Sequence, residues 1–295
     1  MSSACGASRH GMTITDGITT RSIDVPGARL HYEVRGGADS ARPLLFVIGS
    51  PMGAAEFGPL ADALASDRTV VTYDPRGFAA SPIDDPDQPS TPEQRAGDVV
   101  AILDDLGAES TDLFGSSGGA VTGLALVALH PGRVRTLIAH EPPLTELLPD
   151  AEEQWAATKG IMDTFRTDGF HAAWYQFMVN AGFDMTAPDG EVQDKSGGPV
   201  PSEPSTKELA EATRFFVHDL EPTTRYVPDA AAVNAGATRV VIGIGEDSRH
   251  LLTYRTSAAT AELLGAESAT FPGDHGGFLG APVEFADTLR KVLAG

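Results

Sequence analysis

Three features of the 295-residue sequence predict an α/β fold built on a mostly parallel sheet. Short β-type runs alternate with helix-type runs, as in successive βαβ units with right-handed crossovers. Six of the eight strand runs are apolar at consecutive positions, the pattern of strands buried on both faces. The alternation stops between 144 and 236 and then resumes as though nothing had intervened, which marks an insertion into one fold.

In chain order, residues 1–20, beginning "MSSACGASRHG", are polar and expected to be a disordered tail. "RSIDVPG" and "ARLHYEVRG" form a hairpin, followed by strands "LLFVI" (44–48), "TVVTY" (69–73), "TDLFG" (111–115) and "VRTLIAH" (134–140). "TRVVIGIG" (238–245) and "ESATFPG" (267–273) complete an eight-stranded sheet. Helices are predicted at 56–66, 92–106, 118–130, 255–264 and 282–293. Thr91-Pro92-Glu93 supplies an N-cap with proline at the first helical position. The core domain thus spans 21–143 and 237–295, and 144–236 is a helical cap. The cap holds helices near 150–167, 168–180 and 205–219, broken by the Gly/Pro/Ser-rich "TAPDGEVQDKSGGPVPSEPS", too polar to be core. It carries both tryptophans, Trp155 and Trp174, with Tyr175, Phe177, Phe215 and Phe216.

Composition narrows the function classes. A net charge of −20, from 41 acidic against 21 basic residues, argues against a nucleic-acid surface and against an acidic phospholipid surface. The single cysteine, Cys5, allows no internal disulfide and no cysteine-rich metal framework. The leader lacks the apolar core of a secretory signal, and no apolar run approaches the ~20 residues of a membrane span. A soluble, cytoplasmic protein with a small-molecule substrate is expected. "VIGIGED" holds G-x-G but lacks the third glycine and the following acid of a dinucleotide site.

The chemistry concentrates in "DLFGSSGGAV", 112–121. Gly115-Ser116-Ser117-Gly118-Gly119 matches G-x-S-x-G with Ser117 in the nucleophile position. The glycines leave room for a sharp strand-to-helix turn, and a strand run precedes and a helix run follows, as that turn requires. A serine hydroxyl needs a base, and the base needs an orienting acid. Of eight histidines, His275 in "FPGDHGGFLG" stands out, after the last predicted strand and between glycines. His140, His218 and His250 are weaker candidates.

These motifs, over nearly the whole chain, resemble the α/β-hydrolase fold family. "VIGSPMG" (47–53) is similar to that family's loop after the third strand, which implies Ser50 N–H and Gly118 N–H as the oxyanion donors. Pro51 has no N–H to offer. "YDPRGFAASP" (73–82) resembles the family's D-x-R-G-x-G-x-S turn, in which Asp74 and Arg76 are structural. The family's catalytic histidine falls where His275 lies. The acid stays open at this stage. Asp247 follows the strand where most members carry it, with Glu246 adjacent, whereas Glu141 in "IAHEPP" follows the preceding strand. "SSGG" followed by "HEPP", with 24 positions from Ser117 to Glu141, resembles the zearalenone-lactonase branch, in which that glutamate is the acid.

The resemblance implies a serine hydrolase acting on an ester or lactone of a medium-sized apolar molecule, with no metal and no organic cofactor. Met52, Ser116, Trp155 and Trp174 are the expected pocket residues. C–C bond hydrolases and cofactor-free perhydrolases use the same triad, and in some hormone receptors the scaffold binds a small molecule with little turnover.

Overall fold

The computed structural model describes residues 9–15, 17–36, 42–185 and 204–295. Cys5 and most of the Gly/Pro/Ser-rich loop lie outside the described residues. Nine strands form one sheet: β1 Arg9–Thr15, β2 Ile18–Val25, β3 Ala28–Arg35, β4 Leu45–Ile48, β5 Val70–Tyr73, β6 Thr111–Ser116, β7 Val134–His140, β8 Arg239–Gly245 and β9 Glu267–Phe271. Their spatial order is β1-β2-β3-β5-β4-β6-β7-β8-β9. The first three strands pair antiparallel, β3 pairs antiparallel with β5, and every later pair is parallel.

The hairpin predicted from "RSIDVPG" and "ARLHYEVRG" closes at Val25 opposite Ala28. The ninth strand corrects the sequence reading: part of the expected tail is β1, paired with β2 along Thr13↔Thr20 and Ile14↔Thr19. Thr13, Ile14 and Thr15 are exposed, so β1 is an edge strand held by backbone hydrogen bonds and has no apolar pattern to read.

Helices cover both faces of the sheet. One layer contains α1 Gly58–Leu64 and α11 Pro282–Ala294, packed through Phe57, Leu60, Leu64, Phe285 and Leu289. The other contains α2 Pro92–Asp105 and α3 Gly118–Leu129, packed through Val99, Ile102, Val121 and Leu124. Thr91 Oγ1 accepts from Gln94 N–H at 3.2 Å with Pro92 at the first helical position, as the sequence predicts. Helix α3 is apolar all round and buried from Gly118 to Val127, as a helix enclosed by other elements must be.

Between β7 and β8 the chain forms α4 Ala151–Asp168, α5 Phe170–Ala181, α6 Thr206–Thr213, a π-helical turn Arg214–Asp219, α7 Leu220–Thr224 and α8 Ala230–Ala235. Ile161, Ala173, Ala212, Phe216 and Leu220 make a separate apolar cluster with Phe165, Phe170, Phe177 and Phe215 around it. The predicted aromatic faces therefore pack on one another. The last part of the segment differs, because Val233 and Ala230 of α8 join the main core beside α3 and α9 Leu252–Leu264. A short α10, Gly277–Gly280, precedes α11. Among the described residues no helix is long and apolar enough to cross a membrane.

Candidate active site

Ser117 stands alone between β6 and α3 with φ 55° and ψ −124°, a conformation that a non-glycine residue adopts only when its surroundings impose it. Its N–H donates to the His140 carbonyl oxygen of the neighbouring strand at 2.9 Å, and its own carbonyl accepts from Ala120 N–H at 2.9 Å. The glycines permit this because nothing larger fits: a Cβ on Gly115 would lie 2.5 Å from the Gly119 oxygen, and one on Gly118 2.7 Å from the Ser50 oxygen. Helix α3 thus begins against the loop that follows β4, with its first N–H groups and positive dipole end beside Ser117.

Glu141, the residue after β7, also has positive φ, at 49°. It is fully buried, and its carboxylate is held on both oxygens. Oε1 accepts from Gly245 N–H at 2.9 Å, and Oε2 accepts from Thr253 Oγ1 at 2.7 Å and lies 2.8 Å from His275 Nδ1. Burial, the largest single influence, would raise this carboxyl, but the hydrogen bond with His275, the two neighbouring imidazoles and Ser248 together outweigh it, and the pKa is lowered to about 2. Of the carboxylates left open by the sequence, Glu141 is the one placed against the imidazole of His275. Asp247 and Glu246 are exposed in the loop after β8, where Asp247 N–H donates to the Gly273 carbonyl and Glu246 Oε1 accepts from Gly273 N–H at 3.5 Å. Their part is to tie the β8 loop to the histidine loop.

Ser50 lies in the loop after β4 and is joined to Pro51 by a cis peptide bond. Among the described residues no backbone carbonyl accepts from the N–H of Ser50 or of Gly118. Met52, two residues on, is half-buried against Phe57 and its neighbours. Asp74 and Arg76 have the structural parts expected of them. Asp74 accepts from Ala54 N–H at 2.8 Å and Ala80 N–H at 3.1 Å, and Arg76 pairs with the buried Asp98 of α2.

The other expected pocket residues make contacts of their own. Ser116 is fully buried, its Oγ 3.3 Å from His140 Nδ1, a contact that joins β6 to β7. Trp155 lies under the Arg225 guanidinium, 4.6 Å from the ring centroid. Trp174 stacks on Phe170 at 6.1 Å and packs against Phe177 at 5.7 Å. These three partners all lie between β7 and β8. Of the weaker histidines, His250 is exposed and the His218 carbonyl accepts from Ser90 N–H at 3.2 Å. His140 is buried among Phe114, Phe271 and Phe285, with its ring 6.3 Å from that of His275. Thr253, Gly245 and Asp219 went unread in the sequence, since each acts through a contact more than 100 positions away.

The mostly parallel sheet flanked by helices agrees with the comparisons. The α/β-hydrolase fold model matches residues 42–215. The chain belongs to the α/β-hydrolase family and is an enzyme of the hydrolase class. A relative at full length is the uncharacterized hydrolase YraK of Bacillus subtilis (strain 168), 30% identical over 96% of this chain and 97% of its own. Solved structures of similar fold include a thermophilic esterase from Thermogutta terrifontis (TM-score 0.69, 18% identity, 98% of each chain). An enol-lactonase from Burkholderia xenovorans LB400 has TM-score 0.65 and 18% identity, covering 91% of this chain and 97% of that one.

Proposed function

We propose that the protein is a serine hydrolase that cleaves a carboxylic ester or lactone of a small molecule through an acyl-enzyme. The observation that carries this reading is the Glu141–His275 pair at 2.8 Å, with a wholly buried carboxylate. A carboxylate held on Nδ1 leaves Nε2 as the base and stabilises the imidazolium that forms when the base takes a proton.

Ser117 Oγ attacks the substrate carbonyl carbon while its proton passes to His275 Nε2. The carbonyl oxygen becomes an oxyanion, stabilised by the N–H groups of Ser50 and Gly118; losing one such donor typically costs about 10²–10³ in rate. Collapse of the tetrahedral intermediate breaks the C–O bond, and the leaving alkoxide takes the proton from His275. Water, deprotonated by the same imidazole, then bonds to the acyl carbon, the bond to Ser117 Oγ breaks to release the acid, and the imidazolium returns the proton to Ser117 Oγ. No step calls for a metal or an organic cofactor. The esterase and enol-lactonase names among the structural neighbours favour an ester or lactone carbonyl. Met52, at the mouth of the oxyanion loop, is the nearest candidate for a pocket wall.

The test is labelling with a fluorophosphonate probe, which reacts only with an activated serine. The wild type is expected to label. Ser117→Ala abolishes labelling, Glu141→Gln slows it by about 10² or more because the imidazole loses its orienting partner, and Asp247→Asn labels like wild type. Wild-type protein that labels no faster than Ser117→Ala overturns the reading in favour of a binding protein on the same scaffold.

A further inference from the structure

One buried polar network joins the inserted segment to the oxyanion loop. Ser50 Oγ donates to Asp219 Oδ2 at 2.8 Å across 169 positions of chain. The other carboxylate oxygen pairs with Arg95 Nη1, and neither partner's side chain is more than 2% exposed. Nη1 also donates to the Ser90 carbonyl at 3.0 Å, and the two remaining nitrogens are engaged as well, Nε with Thr122 Oγ1 at 3.0 Å and Nη2 with Thr223 Oγ1 at 2.9 Å. Thr122 Oγ1 in turn donates to the Gly118 carbonyl at 3.0 Å. The circuit therefore touches α2, α3, α7, the π-helical turn and the loop after β4. It ends on Ser50 and Gly118, the two residues whose N–H groups the proposed mechanism uses.

Such a network is a poor choice if stability alone is at stake. Taking two ions out of water is costly, and well-packed apolar residues often do as well. What a fully satisfied polar network can supply is a single arrangement of the groups it joins. The π-helical turn points the same way, because such insertions into a helix occur frequently at functional sites, and Asp219 is the last residue of this one.

We infer that Asp219 is a positioning residue for the oxyanion hole. Its carboxylate grips Ser50 through Oγ and so fixes the peptide whose N–H meets the reacting carbonyl oxygen. Arg95 holds the carboxylate in place and cancels its charge, which would otherwise oppose a developing oxyanion nearby. Docking of the inserted segment and formation of the hole are then one event. The inference rests on the serine-hydrolase reading above.

The full-length chain tests it with p-nitrophenyl acetate as substrate and with amide hydrogen exchange of the loop spanning 47–55 as a second readout. Ser50→Ala keeps the backbone N–H and leaves the Arg95–Asp219 pair whole, so the protein folds as before. It is expected to lower kcat by at least about tenfold, toward the ~10²-fold typical of a misplaced group, with KM within about threefold of wild type. Exchange in 47–55 is expected to rise while Tm stays the same. Asp219→Asn is expected to match it in kcat and in exchange but with a lower Tm, because the buried Arg95 loses its charged partner, and the double variant to be no slower than the slower single variant, because both weaken one link. Ser50→Ala with wild-type kcat and wild-type exchange overturns the inference, as do losses that add in the double variant. A wild type whose turnover does not depend on Ser117 overturns the hydrolase reading instead, and the grip of Asp219 on the loop then stands or falls on the exchange rates.

Discussion

His140 and Glu141 are neighbours in sequence, yet the fold keeps one neutral and the other charged. Burial lowers His140 to about 4, whereas Glu141, despite its burial, is lowered to about 2 from 4.5 by its hydrogen bond with His275 together with the charges of the two imidazoles and Ser248. The two act on stability in different pH windows. Between its ordinary value of 6.5 and about 4, His140 stays unprotonated in the folded chain while the unfolded chain takes up a proton, so stability falls as pH falls through that range. Glu141 contributes stability that is whole above about 4.5 and is lost as pH falls toward about 2. His140→Phe, which suits a site walled by Phe114, Phe271 and Phe285, isolates the first window. Urea unfolding at pH 7.5 and pH 5 is expected to show the wild type losing about 2 kcal/mol more than the variant between the two. Equal losses in both proteins would place the titration elsewhere. His31, raised by its hydrogen bond to Asp74, acts in the opposite sense, but equally in both proteins, so it cancels in the difference.

The elements β4, β6 and α3 set the serine's geometry through backbone contact, and two glycines of α3 separate backbone contact from side-chain contact. A Cβ on Gly119 would lie 2.3 Å from the Ile48 oxygen and 2.8 Å from Gly49 Cα, whereas one on Gly123 meets only the methyl ends of Leu137 at 2.6 Å and Leu113 at 2.7 Å. Leucine methyls can rotate away, while a strand end cannot move without shifting Ser50. Gly119→Ala is therefore expected to cost at least about 1 kcal/mol more stability than Gly123→Ala, within the ~1–3 kcal/mol usual for overpacking. It should also lower kcat, which Gly123→Ala should leave near wild type. Denaturant midpoints and p-nitrophenyl acetate turnover measure both, and equal midpoints would show that the β4 end yields. The elements themselves were largely legible, because strands buried on both faces carry unbroken apolar runs and α3 follows its glycines directly. Edge strand β1 was not, since an exposed strand needs no such run. Nor was the choice between Glu141 and Asp247, because each follows a strand end beside the histidine loop. Thr253 and Gly245, which fix the carboxylate of Glu141, are remote in sequence from it.

At the scale of the molecule, the alternation of strand and helix marks the helical segment between β7 and β8, but not how it is fastened, because its fastenings are ion pairs and carbonyl contacts across long stretches of chain. Arg214 is one of them: buried at the start of the π-helical turn, it donates to the carbonyls of Gln88 and Pro86 and packs against Gly77. With the Arg95–Asp219 pair and the packing of Val233 into the main core, this ties the inserted helices to the sheet at several buried points. A segment so fastened should unfold together with the sheet, as one cooperative unit. Both tryptophans, Trp155 and Trp174, belong to the inserted helices α4 and α5, so their fluorescence reports this segment, while far-UV circular dichroism reports the whole chain. Thermal transitions followed by the two signals are expected to coincide in the wild type. Arg214→Ala removes the contacts to Gln88 and Pro86 without touching Ser117, His275 or Glu141. Its fluorescence transition is expected to move several degrees below the dichroism transition, because local opening of the segment then costs less than global unfolding. Transitions that still coincide in the variant would show that the segment is held by the remaining contacts alone, and separate transitions in the wild type would show that it is an independent unit.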